Sequence, residues 1–312
     1  MNSRQLSVLL VLGAVWGASF LFIKVIIDAG VDPLGMSSGR TTLGALTLAP
    51  VAFRQRASFP RERRTWLILA WLGFFNFALP WTLFGIAAEH APSGASSIAN
   101  SSQPLWAAIF MTLLLPGDRL TRGRTIGLFT GFLGVIFLMG GDLLHAGSSG
   151  SLAILTMLGA TFCYGLSGVT IRRWLKHVPA IPLAFSQLAF ASLFLLPTAG
   201  ATGALSRMDM GGAAIACMIA IGVANSGFGV MGYMWLIHQV GPVRAAVVTY
   251  LMPPIGVALG WLVLDETVGW NLLIGLAFVI AGVALVQQIT PRGILRRLIP
   301  PTTPASAAAS PD

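Results

Sequence analysis

The sequence predicts an all-α polytopic membrane protein in which ten transmembrane helices form two inverted five-helix repeats around a central cavity. Three observations predict it. Of 312 residues, 55% are hydrophobic and only 9% are charged, a composition that places the bulk of the chain in lipid. Ten apolar stretches approach the roughly 20 residues that a bilayer crossing needs. Features of the first half recur in the second about 148 residues later. The net charge of +9 does not indicate nucleic acid, because the basic residues sit in short loops between apolar spans.

The spans fall at about 6–27, 33–53, 66–88, 92–115, 123–141, 151–171, 180–197, 211–237, 242–264 and 269–288. The first follows Arg4 and, running from Leu6 to Ile27, exceeds a signal-peptide core, so it reads as a retained span. It carries Trp16-Gly17-Ala18-Ser19 and Lys24, with Asp28 four residues beyond. The second holds Arg40, and the third holds Gly73 and Asn76. The fourth organises the chain. It opens Ala91-Pro92-Ser93-Gly94-Ala95, runs through Asn100, Ser101, Ser102 and Gln103 to Pro104, and then turns apolar. Its first half is too polar to face lipid, so the segment belongs inside a bundle, lining water or a solute. The fifth spaces Gly127, Gly131 and Gly134 for close helix packing.

The second half repeats this order. Tyr164-Gly165-Leu166-Ser167 with Arg172 answers Trp16-Gly17-Ala18-Ser19 with Lys24. Gly222 and Asn225 answer Gly73 and Asn76, and Gly275 and Gly282 answer Gly127 and Gly134. Thr249, Tyr250, Pro253 and Pro254 answer the proline-interrupted fourth span. A matched pair of such spans is the best sequence pointer to a transporter site. Five spans per half is an odd number, so the second half enters the membrane inverted. Residues 1–145 and 146–290 are thus the two repeats, and 291–312, rich in Pro, Ser and Ala, is a disordered cytoplasmic tail. All of the 19 Lys and Arg except Lys24, Arg40 and Arg207 fall on one side of this layout. The bias puts both termini in the cytoplasm.

Polar residues within spans need a partner or a purpose. Asn76, Asn100, Ser101, Gln103, Tyr164, Ser167, Asn225 and Tyr250 are candidates to line the cavity, against the alternative of helix–helix hydrogen bonds. Trp16, beside Gly17 and mid-span, is a cavity or gate candidate. Trp66 and Trp270 start their spans as headgroup-belt residues. Pro104, Pro253 and Pro254 are bending points. Lys24 and Arg40 sit towards the outer ends of their spans. Lys24 reads as snorkelling to water, and Arg40 either bonds helix-end carbonyls or meets a carboxylate in an outer vestibule. Glu89, His90 and His238 close their spans, as solvated helix ends or a proton relay. All ten Asp and Glu lie in loops, at span ends or in the tail. With no mid-span carboxylate to carry a proton, facilitated diffusion is the expected mode. Cys163 and Cys217 lie in spans as small buried thiols, without metal or disulfide spacing. No cofactor or metal is expected, and there is no phosphate-cradling loop for ATP.

The Trp-Gly-x-Ser-x4-Lys opening, the polar-then-Pro fourth span and the Gly-spaced fifth, each echoed in the second half, resemble the drug/metabolite transporter superfamily. Within it, residues 6–288 look like the EamA-type ten-helix permeases, and among these the bacterial YddG-type aromatic amino-acid exporters. The resemblance implies a basket in which spans one, three, four, six, eight and nine surround the cavity, with the fifth and tenth outside. It implies that Asn76, Ser101, Gln103 and Tyr164 are cavity side chains, and that the chain exports amino acids (aromatic, Met, Thr-like) across the bacterial inner membrane by alternating access. A broad-specificity drug exporter of the same fold, with or without proton coupling, is the main alternative, and a membrane-embedded enzyme a remote one. Expected partners are a small-molecule substrate and the lipid bilayer, with the chain monomeric or weakly homodimeric.

Overall fold

A computed structural model describes residues 1–55, 59–115, 121–139, 149–206, 210–240, 245 and 247–286. The tail beyond 290 lies outside them, as do Arg56, Arg119, Arg207, Arg244, Asp118, Asp142 and Asp209. The described residues form ten helical segments in the expected order. They are α1 (Ser3–Gly17 and Ser19–Asp28), α2 (Pro33–Arg54), α3 (Arg63–Gly73, Phe74–Ala78 and Leu79–Ala88), α4 (Ser93–Asn100 and Gln103–Leu114) and α5 (Arg122–Met139), followed by α6 (Ser149–Thr170 and Ile171–Leu175), α7 (Ala180–Ala201), α8 (Gly212–Ile219, Ala220–Phe228 and Gly229–Val240), α9 (Val248–Leu264) and α10 (Trp270–Val286). Five of them are long and apolar enough to cross a membrane, and α9 and α10 are shorter apolar helices. Large apolar side chains cover the outside, among them Phe129 at 75% exposure, Leu113, Leu46 and Leu193. Lipid, not water, suits that surface.

Local chemistry sets the element ends. Asn2 and Gln5 exchange side chain-to-backbone hydrogen bonds at the start of α1, both 2.9 Å, a reciprocal cap of two otherwise orphaned donors. Asp32 accepts from Leu34 N at 2.9 Å ahead of Pro33, at the first turn of α2. After α9, Asp265 takes a left-handed conformation (φ 51°). The chain doubles back there, and Glu266 reaches the first turn of α4. Its carboxylate accepts from Ser93 N (2.6 Å), Ser93 Oγ (3.0 Å) and Gly94 N (3.1 Å). An anion at a helix N-terminus is stabilising by about 0.3–1 kcal/mol at exposed sites and more when half-buried.

Packing obeys the exchange of halves. α1 packs on α8 and α9, as α6 packs on α3 and α4; α2 packs on α8, as α7 packs on α3. Of the remaining contacts, α2 with α7, α4 with α9 and α5 with α10 join each helix to its own counterpart, while α2 packs on α3 more extensively than α7 packs on α8. Bonds between helix ends sort those ends into two faces. Lys24 Nζ donates to Ala88 O at 2.9 Å, and Glu266 holds Ser93, on one face. Arg173 donates to Leu114 O at 2.8 Å, and the Arg4 guanidinium lies 5.3 Å from the Trp235 ring centroid, on the other.

Two details depart from expectation. α4 breaks at Ser101–Ser102, before Pro104 rather than at it, whereas α9 runs unbroken through Pro253 and Pro254. α3 and α8 widen into π-helix at Phe74–Ala78 and Ala220–Phe228, matching stretches of the two halves. In α3 the cause is local: Pro80 has no N–H to offer the Asn76 carbonyl, and Leu79 N donates five residues back, to Phe74 O.

Candidate functional site

A cavity of 470 Å³ lies between the halves, near the middle of the bundle. Its wall takes residues from α1, α2, α3, α4, α6, α8, α9 and α10. Trp16, Asn76, Asn100, Ser101, Gln103, Tyr164, Asn225 and Tyr250 all line it, as do Pro104 and Pro253. The structure therefore brings together all but one of the substrate-binding candidates. Ser167 is the exception: it is fully buried and away from the lining, because its stretch of α6 packs into neighbouring helices. Pro254 is exposed and also outside the lining.

Asn225 is the hub of one side. Its Nδ2 donates to Val15 O at 3.0 Å, and its Oδ1 accepts from Arg40 Nη2 at 2.9 Å. The π segment exposes its backbone as well. Gly229 N donates to Ala224 O, passing over Asn225 O, which accepts from Trp16 Nε1 at 3.2 Å. Arg40 Nε donates to Ser226 Oγ at 3.1 Å, and the guanidinium carbon sits 3.7 Å from the Trp81 ring centroid. A desolvated cation over an indole face is worth about 2 kcal/mol. Trp81 Nε1 in turn donates to Tyr164 Oη at 2.8 Å, and Tyr164 meets Phe84 edge-on at 5.7 Å.

This corrects the expectation for Arg40. It lies in the wall of the central cavity, 6% exposed, not in an outer vestibule. Depth counted along α2 did not reveal that the π segment of α8 turns Asn225 and Ser226 towards it. Lys24 lies in the last turns of α1, bridged to Asp28 at 2.8 Å. The opposite side of the pair is uncharged: Asn76 Nδ2 donates to Gln187 Oε1 at 2.9 Å. The broken α4 supplies a third group. Ser102 Oγ lies 2.9 Å from Thr161 Oγ1, and Ser101 Oγ donates to Ser97 O at 3.2 Å. Asn100 Oδ1, Tyr250 Oη and Arg40 Nη1 are buried with no partner among the described residues.

The lining also corrects the basket drawn from resemblance. α2 contributes through Arg40, and α10 through Ile280 and Val283. Sequence reasoning had not placed Trp81, Ser226, Tyr233 or Gln187 at the site. The signal was available for Gln187: it stands eighth in a 22-residue helix, as Arg40 does. Glu89 and His90 lie at the end of α3, half-exposed and 3.9 Å apart, and neither lines the cavity. The side chain of His238 lies outside the described residues.

The sequence pattern of the EamA-like transporter family matches the chain twice, over residues 4–140 and 151–287. The chain belongs to that family, within the drug/metabolite transporter superfamily. It is similar to the uncharacterised Bacillus subtilis transporters YvbV (26% identity, covering 92% of each chain) and YoaV (22%, covering 86% of this chain and 91% of that one). It is also similar to a probable terminal-alkyne amino-acid exporter of Streptantibioticus cattleyicolor (24%, covering 92% of this chain and 95% of that one). A solved crystal structure at 19% identity superposes with a TM-score of 0.64 over 94% of this chain and 99% of the other, a likeness of fold. This EamA-family protein is thus a multi-pass membrane transporter, one that would bind small-molecule substrates within the bilayer.

Proposed function

We propose that this transporter exports amino acids (aromatic, methionine- and threonine-like) and related metabolites from the bacterial cytoplasm across the inner membrane, by facilitated diffusion with alternating access. The carrying observation is the mixed wall of the cavity. Trp16, Phe20, Phe77 and Phe84 offer flat apolar faces, while Arg40, Asn100 and Tyr250 present buried polar atoms that lack a partner among the described residues. Such atoms cost free energy until a solute or water meets them. An amino acid has a matching pair of ends and an apolar middle. Asn100 Oδ1, at the C-terminal end of a half-helix, suits an ammonium group, and Gln103 and Ser101 suit either end. Tyr164 suits stacking. The name of the Streptantibioticus relative points the same way. The two repeats, taken as 1–145 and 146–290, rock about the cavity, with the α4 break at Ser101–Ser102, just ahead of Pro104, as the flexible point. Both termini lie in the cytoplasm, following the basic face.

Counterflow of labelled threonine, methionine and aromatic amino acids in proteoliposomes tests this. Exchange within one class is the expected result, and exchange of none removes amino acids from the reading. Gln103→Ala and Tyr164→Ala are expected to lower flux about tenfold while leaving expression intact. Wild-type flux in both would take them out of the site. The aromatic share of the wall favours one second reading, a broad small-molecule exporter of the same fold. Efflux of unrelated dyes that compete with amino acids would select it.

A further inference from the structure

Arg40 and Gln187 occupy the same position of the two repeats. Each stands eighth in its 22-residue helix, and each bonds the asparagine in the π segment of the opposite half. The inverted repeat builds one motif twice, yet only one copy carries a charge. A guanidinium stays protonated in proteins, and within a membrane bundle a charge calls for an opposite one. Among the described residues no carboxylate forms an ion pair with Arg40. Its protein partners are all neutral: Ser226 at Nε, Asn225 at Nη2 and the Trp81 ring against its face. Nη1 has none, although Arg40 is 6% exposed and lines the cavity. Trp81 also fixes a second donor. Because its Nε1 donates to Tyr164 Oη, the hydroxyl proton of Tyr164 is left to donate elsewhere. One indole therefore sets a planar cation and a hydroxyl donor against the same wall.

We infer that Arg40 Nη1 and the Tyr164 hydroxyl form a carboxylate subsite, so that solutes carried by this protein must bear an anionic end. The inference rests on the proposed role of the cavity as the transport site, and it specifies which end of the solute enters where. The guanidinium supplies the charge, and the Gln187 copy, which reaches the cavity only through Asn76, adds none.

The test uses purified full-length protein, titrated with phenylalanine, phenylacetate, phenylalaninamide and phenethylamine and read by intrinsic fluorescence and melting temperature. Both carboxylates should bind about tenfold or more tightly than the two compounds without one, the range of a charge-assisted hydrogen bond. Arg40→Gln should bring that ratio to about one, and Arg40→Lys should keep part of it. Should Arg40→Gln fail to fold, Tyr164→Phe keeps the ring and loses the donor, and should reduce the ratio about threefold. Equal binding of acid and amide by the wild type overturns the subsite, as does an acid preference unchanged in Arg40→Gln or, failing that variant, in Tyr164→Phe. Arg40-dependent binding of phenylacetate without binding of phenylalanine leaves the subsite standing and removes amino acids as substrates.

Discussion

Trp81 serves two polar partners with one ring, its face under Arg40 and its N–H on Tyr164. Trp81→Phe keeps a face and deletes the N–H. One hydrogen bond is worth about 1 kcal/mol, so apparent affinity in counterflow should fall roughly fivefold with little change in melting temperature. Trp81→Leu also removes the cation's platform, about 2 kcal/mol more, and should lower the melting temperature as well. Wild-type affinity in both variants would place the ring outside the site. The sequence marked every Asn, Gln and Tyr of the lining except Tyr233, because such residues inside apolar spans are costly wherever they point. Trp81 escaped notice because an indole is equally at home in a core or a headgroup belt. Arg40 was found but misplaced. A linear count gives depth within a span, and it does not tell which neighbour leans in to meet a side chain.

Two elements set the shape around the site. Glu266 ties the turn after α9 to the first turn of α4 with three hydrogen bonds. Glu266→Gln keeps the shape and loses the charge, and should cost about 1 kcal/mol of stability in thermal unfolding; an unchanged transition would reduce the contact to a surface bond. α5 and α10 meet through glycine. A Cβ on Gly282 would fall 2.4 Å from Gly131 Cα, backbone against backbone. Gly282→Ala should therefore destabilise by about 1–3 kcal/mol. Gly168→Ala, exposed in α6 with nothing within 4 Å, should be neutral or stabilise by up to about 1 kcal/mol. Similar unfolding of the two would dissolve the seam. The glycine spacing announced this packing in the sequence. The different fates of the proline pairs did not show there. Pro104 opens the second half of a helix already broken at two serines, whereas Pro253 lies inside a continuous α9, its carbonyl accepting from Ser97 Oγ at 3.4 Å.

At the scale of the molecule, hydropathy and charge bias gave the ten spans, since a bilayer imposes length and sidedness on any chain that crosses it. Which helix touches which was hidden, because lipid-facing and helix-facing positions are both apolar. The large contacts between the halves nevertheless fall into pairs that the exchange of halves interconverts. Among the described residues no carboxylate lines the cavity, so collapsing the proton gradient should leave downhill amino-acid flux within about twofold of control; complete loss would require a proton carrier elsewhere. The unequal pair Arg40 and Gln187 also bears on ancestry. Two copies of residues 1–145 assembled head to tail would direct two like-charged guanidiniums into one enclosed space of low polarity, where they repel. Two copies of the other half would supply no ion at all. Only two unlike halves keep a single fixed cation in the pit, and carrying both on one chain holds them at one to one.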